Sequence, residues 1–197
     1  MPQVISRRHM LGLSAASLMC SALPAQAAPT TYRLETAQSS VGFGVDLGND
    51  RLVGSMPIRS ANLALDFNDV SRSNVTVQID ASAVKMGVFF ATDAVRSADL
   101  LDVARHPMIN FVSRRVRQGA SAAQAIVDGN VTIKGVTASV TLNTLLTQDR
   151  STVGQDNPPL TLNLSGTVNR LDFGLTAFQA FVGPRVTLDI RARIRRG

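Results

Sequence analysis

Leu160-Thr161-Leu162-Asn163-Leu164-Ser165-Gly166-Thr167-Val168-Asn169 alternates small or apolar residues with polar ones over its whole length. Successive side chains of a β-strand point to opposite faces, so a period of two predicts a strand with one apolar and one solvated face. The pattern returns in Val75-Thr76-Val77-Gln78-Ile79-Asp80 and in Val186-Thr187-Leu188-Asp189-Ile190-Arg191-Ala192-Arg193-Ile194. Strand-like runs also cover 32–35, 41–46, 51–58, 61–67, 108–116, 124–133 and 136–147. Gly48-Asn49-Asp50 and Lys134-Gly135 read as turns between neighbours, and 148–159 as a polar loop. Eight or so antiparallel strands of this kind suit an up-and-down barrel or a two-sheet sandwich, because the apolar face and the edges must be hidden.

Between Ala81 and Pro107 the rhythm stops. The spacing there predicts a short helix over 93–103, capped by Thr92, with Asp99 and Asp102 on one face. Arg170 and Asp172 read as an ion pair that stabilises the fold.

The first 27 residues read as an export leader. Arg7-Arg8 is a basic start, Met10 to Leu23 is an apolar run too short for a spanning helix of roughly 20 residues, and Ala25-Gln26-Ala27 sets cleavage between Ala27 and Ala28. Ser6-Arg7-Arg8-His9-Met10-Leu11 is similar to a twin-arginine export signal. Cys20 does not make a lipoprotein leader, since Ser17-Leu18-Met19 is a poor lipobox. Residues 28–197 then form one domain of a size that builds a core. The predicted location is the periplasm.

The leader takes two of the 20 basic residues and none of the 14 acidic ones, leaving a net charge of +4. Arginines near the end, from Arg191 to Arg196, offer a contact for a membrane surface. Nucleic acid is not an expected partner, because no aromatic and basic residues interleave as a stacking surface would require. The single cysteine belongs to the leader, so the domain has neither disulfide nor thiolate.

Catalysis is poorly provided for. After the leader there is one histidine, His106, and one glutamate, Glu35, with no nucleophile elbow, metal-binding spacing or phosphate loop. The reading is no enzyme, no metal and no cofactor. The domain has no tryptophan and a single tyrosine, Tyr32, so it lacks the aromatic girdles of an outer-membrane barrel, and the apolar face is expected to point inward. A wall of Val, Ala, Leu and Ile lines an interior without filling a wide one. The phenylalanines near breaks in the pattern either close the barrel or flank a mouth.

Four segments together resemble the YceI-like family of bacterial periplasmic proteins. They are Ser40-Val41-Gly42-Phe43-Gly44-Val45 with Val53-Gly54; Val95 to Val103 leading into His106-Pro107-Met108-Ile109-Asn110-Phe111; Gly129 to Thr137; and Asn169-Arg170-Leu171-Asp172-Phe173-Gly174. The resemblance implies an all-β, extended lipocalin-like antiparallel barrel of about eight strands with a short helix. It also implies a long apolar cavity that binds polyisoprenoid or quinone-like lipid. Asp46 and Ala94 replace two family histidines, and Met56 stands where the family often has phenylalanine. On this basis Phe43, Met56, Phe89, Phe90, Phe111, Phe173, Phe178 and Phe181 are the expected cavity or mouth residues. Asp46, Arg96 and Arg170 are the candidates for a polar headgroup. The partners left open are a long-chain lipid, a transient membrane contact and a homodimer. Two other classes stay in play: a redox helper acting on a quinone-like lipid, and a ligand-free interaction module with a solidly packed barrel.

Overall fold

The structure is a computed structural model and describes residues 28–148 and 154–197. The leader, Ala27 on one side of its cleavage point, and residues 149–153 of the polar loop lie outside the described residues. In chain order the elements are β1 (Thr30–Leu34), β2 (Ser40–Leu47), β3 (Asp50–Leu65), β4 (Asn74–Asp80), β5 (Lys85–Met86), α1 (Phe89–Arg96), β6 (Met108–Gln118), β7 (Gln124–Ile133), β8 (Val136–Gln148), β9 (Leu160–Asn169) and β10 (Val182–Arg196).

Each long strand pairs antiparallel with the next, and β10 returns to β9 from Arg185↔Asn169 to Ile194↔Leu160. The sheet is therefore a closed eight-stave barrel, which removes the free edges that a sheet otherwise exposes. One stave is composite. Both β1 and β2 run between β3 and β10, joined by a 3-10 turn at Thr36–Gln38. The Ser39 hydroxyl fills the step, donating to the Glu35 carbonyl at 2.8 Å and accepting from Arg193 N–H at 2.9 Å. Glu35 also receives Arg193 Nε at 2.9 Å and Arg195 Nε at 3.0 Å, so two of the C-terminal arginines are held against the barrel.

Two strands predicted as separate, 51–58 and 61–67, are one. The pairing of β3 with β4 slips between Ile58 and Ser60, and both Arg59 and Ser60 are exposed. This bulge inserts one residue and shifts the inward set from Met56 and Ile58 to Ala61, Leu63 and Leu65. In the sequence the phase change reads as a break. The slip between Ser113 and Arg115 in β6 does the same before Val116.

The helix also differs from expectation. It spans Phe89–Arg96, with Thr92 inside it accepting from Met86 N–H at 3.1 Å instead of capping. The Ser97 hydroxyl donates to the Ala94 carbonyl at 2.8 Å, drawing the chain out of the helix. Asp99 and Asp102 consequently lie after the helix, Asp99 in a turn and Asp102 in irregular backbone, and share no helix face. Asp102 adopts φ 48° and is buried.

On the outer face, Asp128 of β7 is the cross-strand partner of Thr141. The Thr141 hydroxyl at 2.8 Å and the Arg117 guanidinium at 2.8 and 3.1 Å hold its carboxyl below the usual carboxylate range. A lowered folded pKa adds stability that is complete above the ordinary value of 3.8 and is lost as pH falls through the folded value. Asp128→Asn should therefore flatten the acid limb of the urea midpoint against pH, below about pH 4. An unchanged acid limb would show that the cluster contributes nothing to acid stability.

Candidate functional site

The inward-facing residues of all eight staves enclose a cavity of about 360 Å³, within the size range of ligand sites. It runs from Phe178, Met86 and Ala91 at the end that carries α1 to Phe67, Val70 and Ala123 at the other. Ala91, Ala94 and Val95, spaced on one face of α1, contribute to the wall at the helix end. Among the described residues the only polar side chains in this wall are those of Ser73, Gln124, Thr144 and Arg170.

The lumen stays open because large side chains lie along the wall. Phe43 is paired with Gly54 across β2 and β3. A Cβ at Gly54 would stand 2.5 Å from Phe43 Cζ and 2.6 Å from Met86 Sδ. The ring therefore occupies space that any side chain at position 54 would fill. Phe111 covers Gly129 likewise, and a Cβ there would stand 2.5 Å from its Cζ. These inward glycines let bulky residues lie flat against the barrel.

Phe43, Met56, Phe111, Phe173 and Phe178 all line the cavity. Phe90 and Phe181 do not, and stand 75% and 70% exposed. Phe89 opens α1, and its side chain lies outside what is described. A phenylalanine beside a break has no alternation to fix its facing, which is why the sequence grouped wall and surface residues together.

The three headgroup candidates are not brought together. Asp46 lies on the outer face of β2, 3.5 Å from Arg51, in an exposed pair of the kind worth about 0–1 kcal/mol. Arg96 ends α1, donates to the Val84 carbonyl at 3.2 Å and keeps its Nε buried without a partner among the described residues. Ala94 lies in the cavity wall.

Arg170 reaches the lumen by continuing the inward parity of β9 one step past Asn169. It is 5% exposed, and its expected ion pair with Asp172 does not form: Asp172 is exposed. Instead Nε donates to Gly183 O at 3.0 Å, Nη1 to Ala177 O at 2.8 Å and to Leu175 O, and Nη2 to Val182 O at 2.8 Å. Burial lowers its pKa from the ordinary arginine value, yet a guanidinium stays charged in proteins. Carbonyl dipoles take the place of a carboxylate. Sequence reasoning found the residue and missed its partners, which lie in a loop without a period and at the first two residues of β10.

Thr144 is the residue that reasoning missed. Its hydroxyl is buried in the wall with no hydrogen-bond partner among the described residues. Its place at an inward position of β8, between Leu142 and Leu146, was the available signal. His106 is not among the wall residues; it lies beside Gly135 in the β7–β8 turn.

Comparison with known proteins agrees with this architecture. Protein YceI of Escherichia coli O157:H7 is 30% identical over 154 residues, covering 78% of this chain and 76% of that protein. A UPF0312 protein of Pectobacterium atrosepticum is 28% identical over 176 residues, covering 86% and 88%. The crystal structure of Burkholderia cenocepacia BcnA superposes with a TM-score of 0.70 at 20% identity, covering 81% of this chain and 98% of that one. A Campylobacter jejuni YCEI protein superposes with a TM-score of 0.59 at 12% identity, covering 98% and 99%. The model of the YceI-like domain matches residues 32–194, from the composite stave into the last residues of β10, and the chain belongs to that family.

Proposed function

We propose that the protein is a carrier that holds a long-chain apolar ligand, polyisoprenoid or quinone-like, inside the barrel. It works in the periplasm after export by the twin-arginine route and does no chemistry on its cargo. The observation that carries this reading is the nearly unbroken hydrocarbon wall around an open lumen. At ~0.8 kcal/mol per methylene, about ten buried methylenes supply ~8 kcal/mol before ordering costs, the scale of a micromolar complex. The Thr144 hydroxyl, without a partner among the described residues, favours a ligand with at least one oxygen over a pure hydrocarbon, since a buried polar group gains by finding a partner.

The wall offers little to a reaction. Arg170 is its one ionisable side chain among the described residues, and four of its five N–H groups are committed to carbonyls. A solidly packed interaction module would need a filled lumen, and this one is open.

Protein recovered from the periplasmic fraction, measured by native mass spectrometry, tests the proposal. The expected spectrum is the chain plus one extractable lipid mass. Arg7→Lys with Arg8→Lys should empty that fraction of the protein. A bare protein mass, together with failure to bind an apolar dye, would overturn the carrier. Export that ignores the double substitution would overturn the route.

A further inference from the structure

We propose that the helix end of the barrel docks on a phospholipid bilayer through a collar of exposed phenylalanines, so that cargo passes between lumen and membrane without crossing water. The collar comprises Phe90, Phe178 and Phe181, with Val53 and Val88 beside them; the rings are 75%, 52% and 70% exposed. All five stand at one end. Gly87 N–H donates to Val53 O at 2.8 Å, next to Val88 and the start of α1. Gly48 N–H, in the β2–β3 turn, donates to Phe181 O at 3.2 Å.

The display of these rings is built. Phe178 has φ 61°, a left-handed conformation that a bulky residue rarely adopts, so the surrounding structure must impose it. Phe181 N–H at 3.0 Å and Val182 N–H at 2.8 Å both donate to its carbonyl and close the turn. Beneath them the Arg170 guanidinium grips Leu175, Ala177, Val182 and Gly183 by their carbonyls. A buried charge thus holds the base of a loop whose tip carries two phenylalanines facing solvent.

Continuity with the cavity names the occupant. Phe178 belongs both to the cavity wall and to the exposed collar, so apolar surface continues from the lumen to the outside through its ring. A lipid tail that left through water would expose every methylene it had buried. Seating the mouth on acyl chains removes that barrier. The nearby Asp46 is paired with Arg51, and the exposed Asp50, Lys85 and Asp93 at the same end carry both signs, which suits a zwitterionic headgroup surface. At the opposite end Phe67 packs edge-on against Tyr32, with Arg33 and Arg196 exposed around it. Phe67 and Leu145 at that end are 40% and 43% exposed, so the larger apolar display is at the helix end.

The docking rests on the carrier reading for its purpose, and the two are tested by separate signals. The chain has no tryptophan, so Phe90→Trp and Phe181→Trp each install a single fluorescent reporter, and Val112→Trp on the barrel flank is the control. With phosphatidylcholine vesicles, the two collar reporters should shift to the blue and be quenched by brominated acyl chains, and the flank reporter should do neither. Phe90→Ser with Phe181→Ser, neither a wall residue, should weaken vesicle partition by roughly a hundredfold, the scale for withdrawing two rings from lipid. Apolar dye uptake by that variant should be unchanged. Silent collar reporters, or an equal response at Val112, would overturn the proposal. So would a blue shift without vesicles accompanied by a dimer mass, which would assign the collar to a second copy of the chain. A normal vesicle response in a protein that takes up no dye would uphold docking and overturn the cavity reading alone.

Discussion

Arg170→Ala should lower the stability of the barrel by roughly 3–5 kcal/mol, the range for unpartnering several buried polar groups at once. Four carbonyls lose their donor together: Leu175 and Ala177 in the loop, and Val182 and Gly183 at the start of β10. Each would cost about 1–3 kcal/mol if it stayed dry, and water entering from the nearby mouth recovers part of that sum. Arg170→Lys should fall between the two, because an ammonium has three donors and no planar fork. Urea unfolding gives the stability. Hydrogen exchange adds a local signature: amides of residues 175–183 should exchange faster in the lysine variant while those of β7 and β8 do not. A loss below about 1 kcal/mol for alanine would mean that the loop holds itself and the guanidinium is incidental.

Gly129→Val should close the lumen. The added methyls would enter the space of the Phe111 ring, and Val112 O stands 2.7 Å from the new Cβ. Backbone on one side leaves the ring as the group that must move, and its free direction is into the cavity. Overpacking of this kind costs about 1–3 kcal/mol of stability, and the displaced ring should weaken apolar dye binding tenfold or more. Phe111→Leu combined with Gly129→Val should recover much of the binding, because the two residues share one volume and their effects do not add. Unchanged dye binding by the single variant, with its fold intact, would show that ring and wall do not set the cavity's capacity.

Strand period and family were legible residue by residue. The inward set of β9 is visible in Leu160, Leu162, Leu164, Gly166 and Val168, and the structure keeps it. The bulges in β3 and β6 were not legible, since a slipped phase and a loop look alike when only neighbours are compared. The short helix was misplaced because eight residues give too few turns for a period, and the Ser97 hydroxyl that ends it acts through a side chain. For the site, alternation found Phe43 and Phe111, and could not separate Phe173 in the core from Phe181 in solvent.

By itself the sequence determined an alternating β chain with one apolar face, and four ordered motifs of the YceI-like family. Those properties are local: a side chain's facing follows from its parity, and a motif from its neighbours. Tertiary structure alone decided that the lumen stays open, because that depends on Gly54 and Gly129 meeting rings from other strands. It alone decided that Arg170 grips a loop instead of pairing with Asp172. Only closure of the barrel brought those atoms within reach.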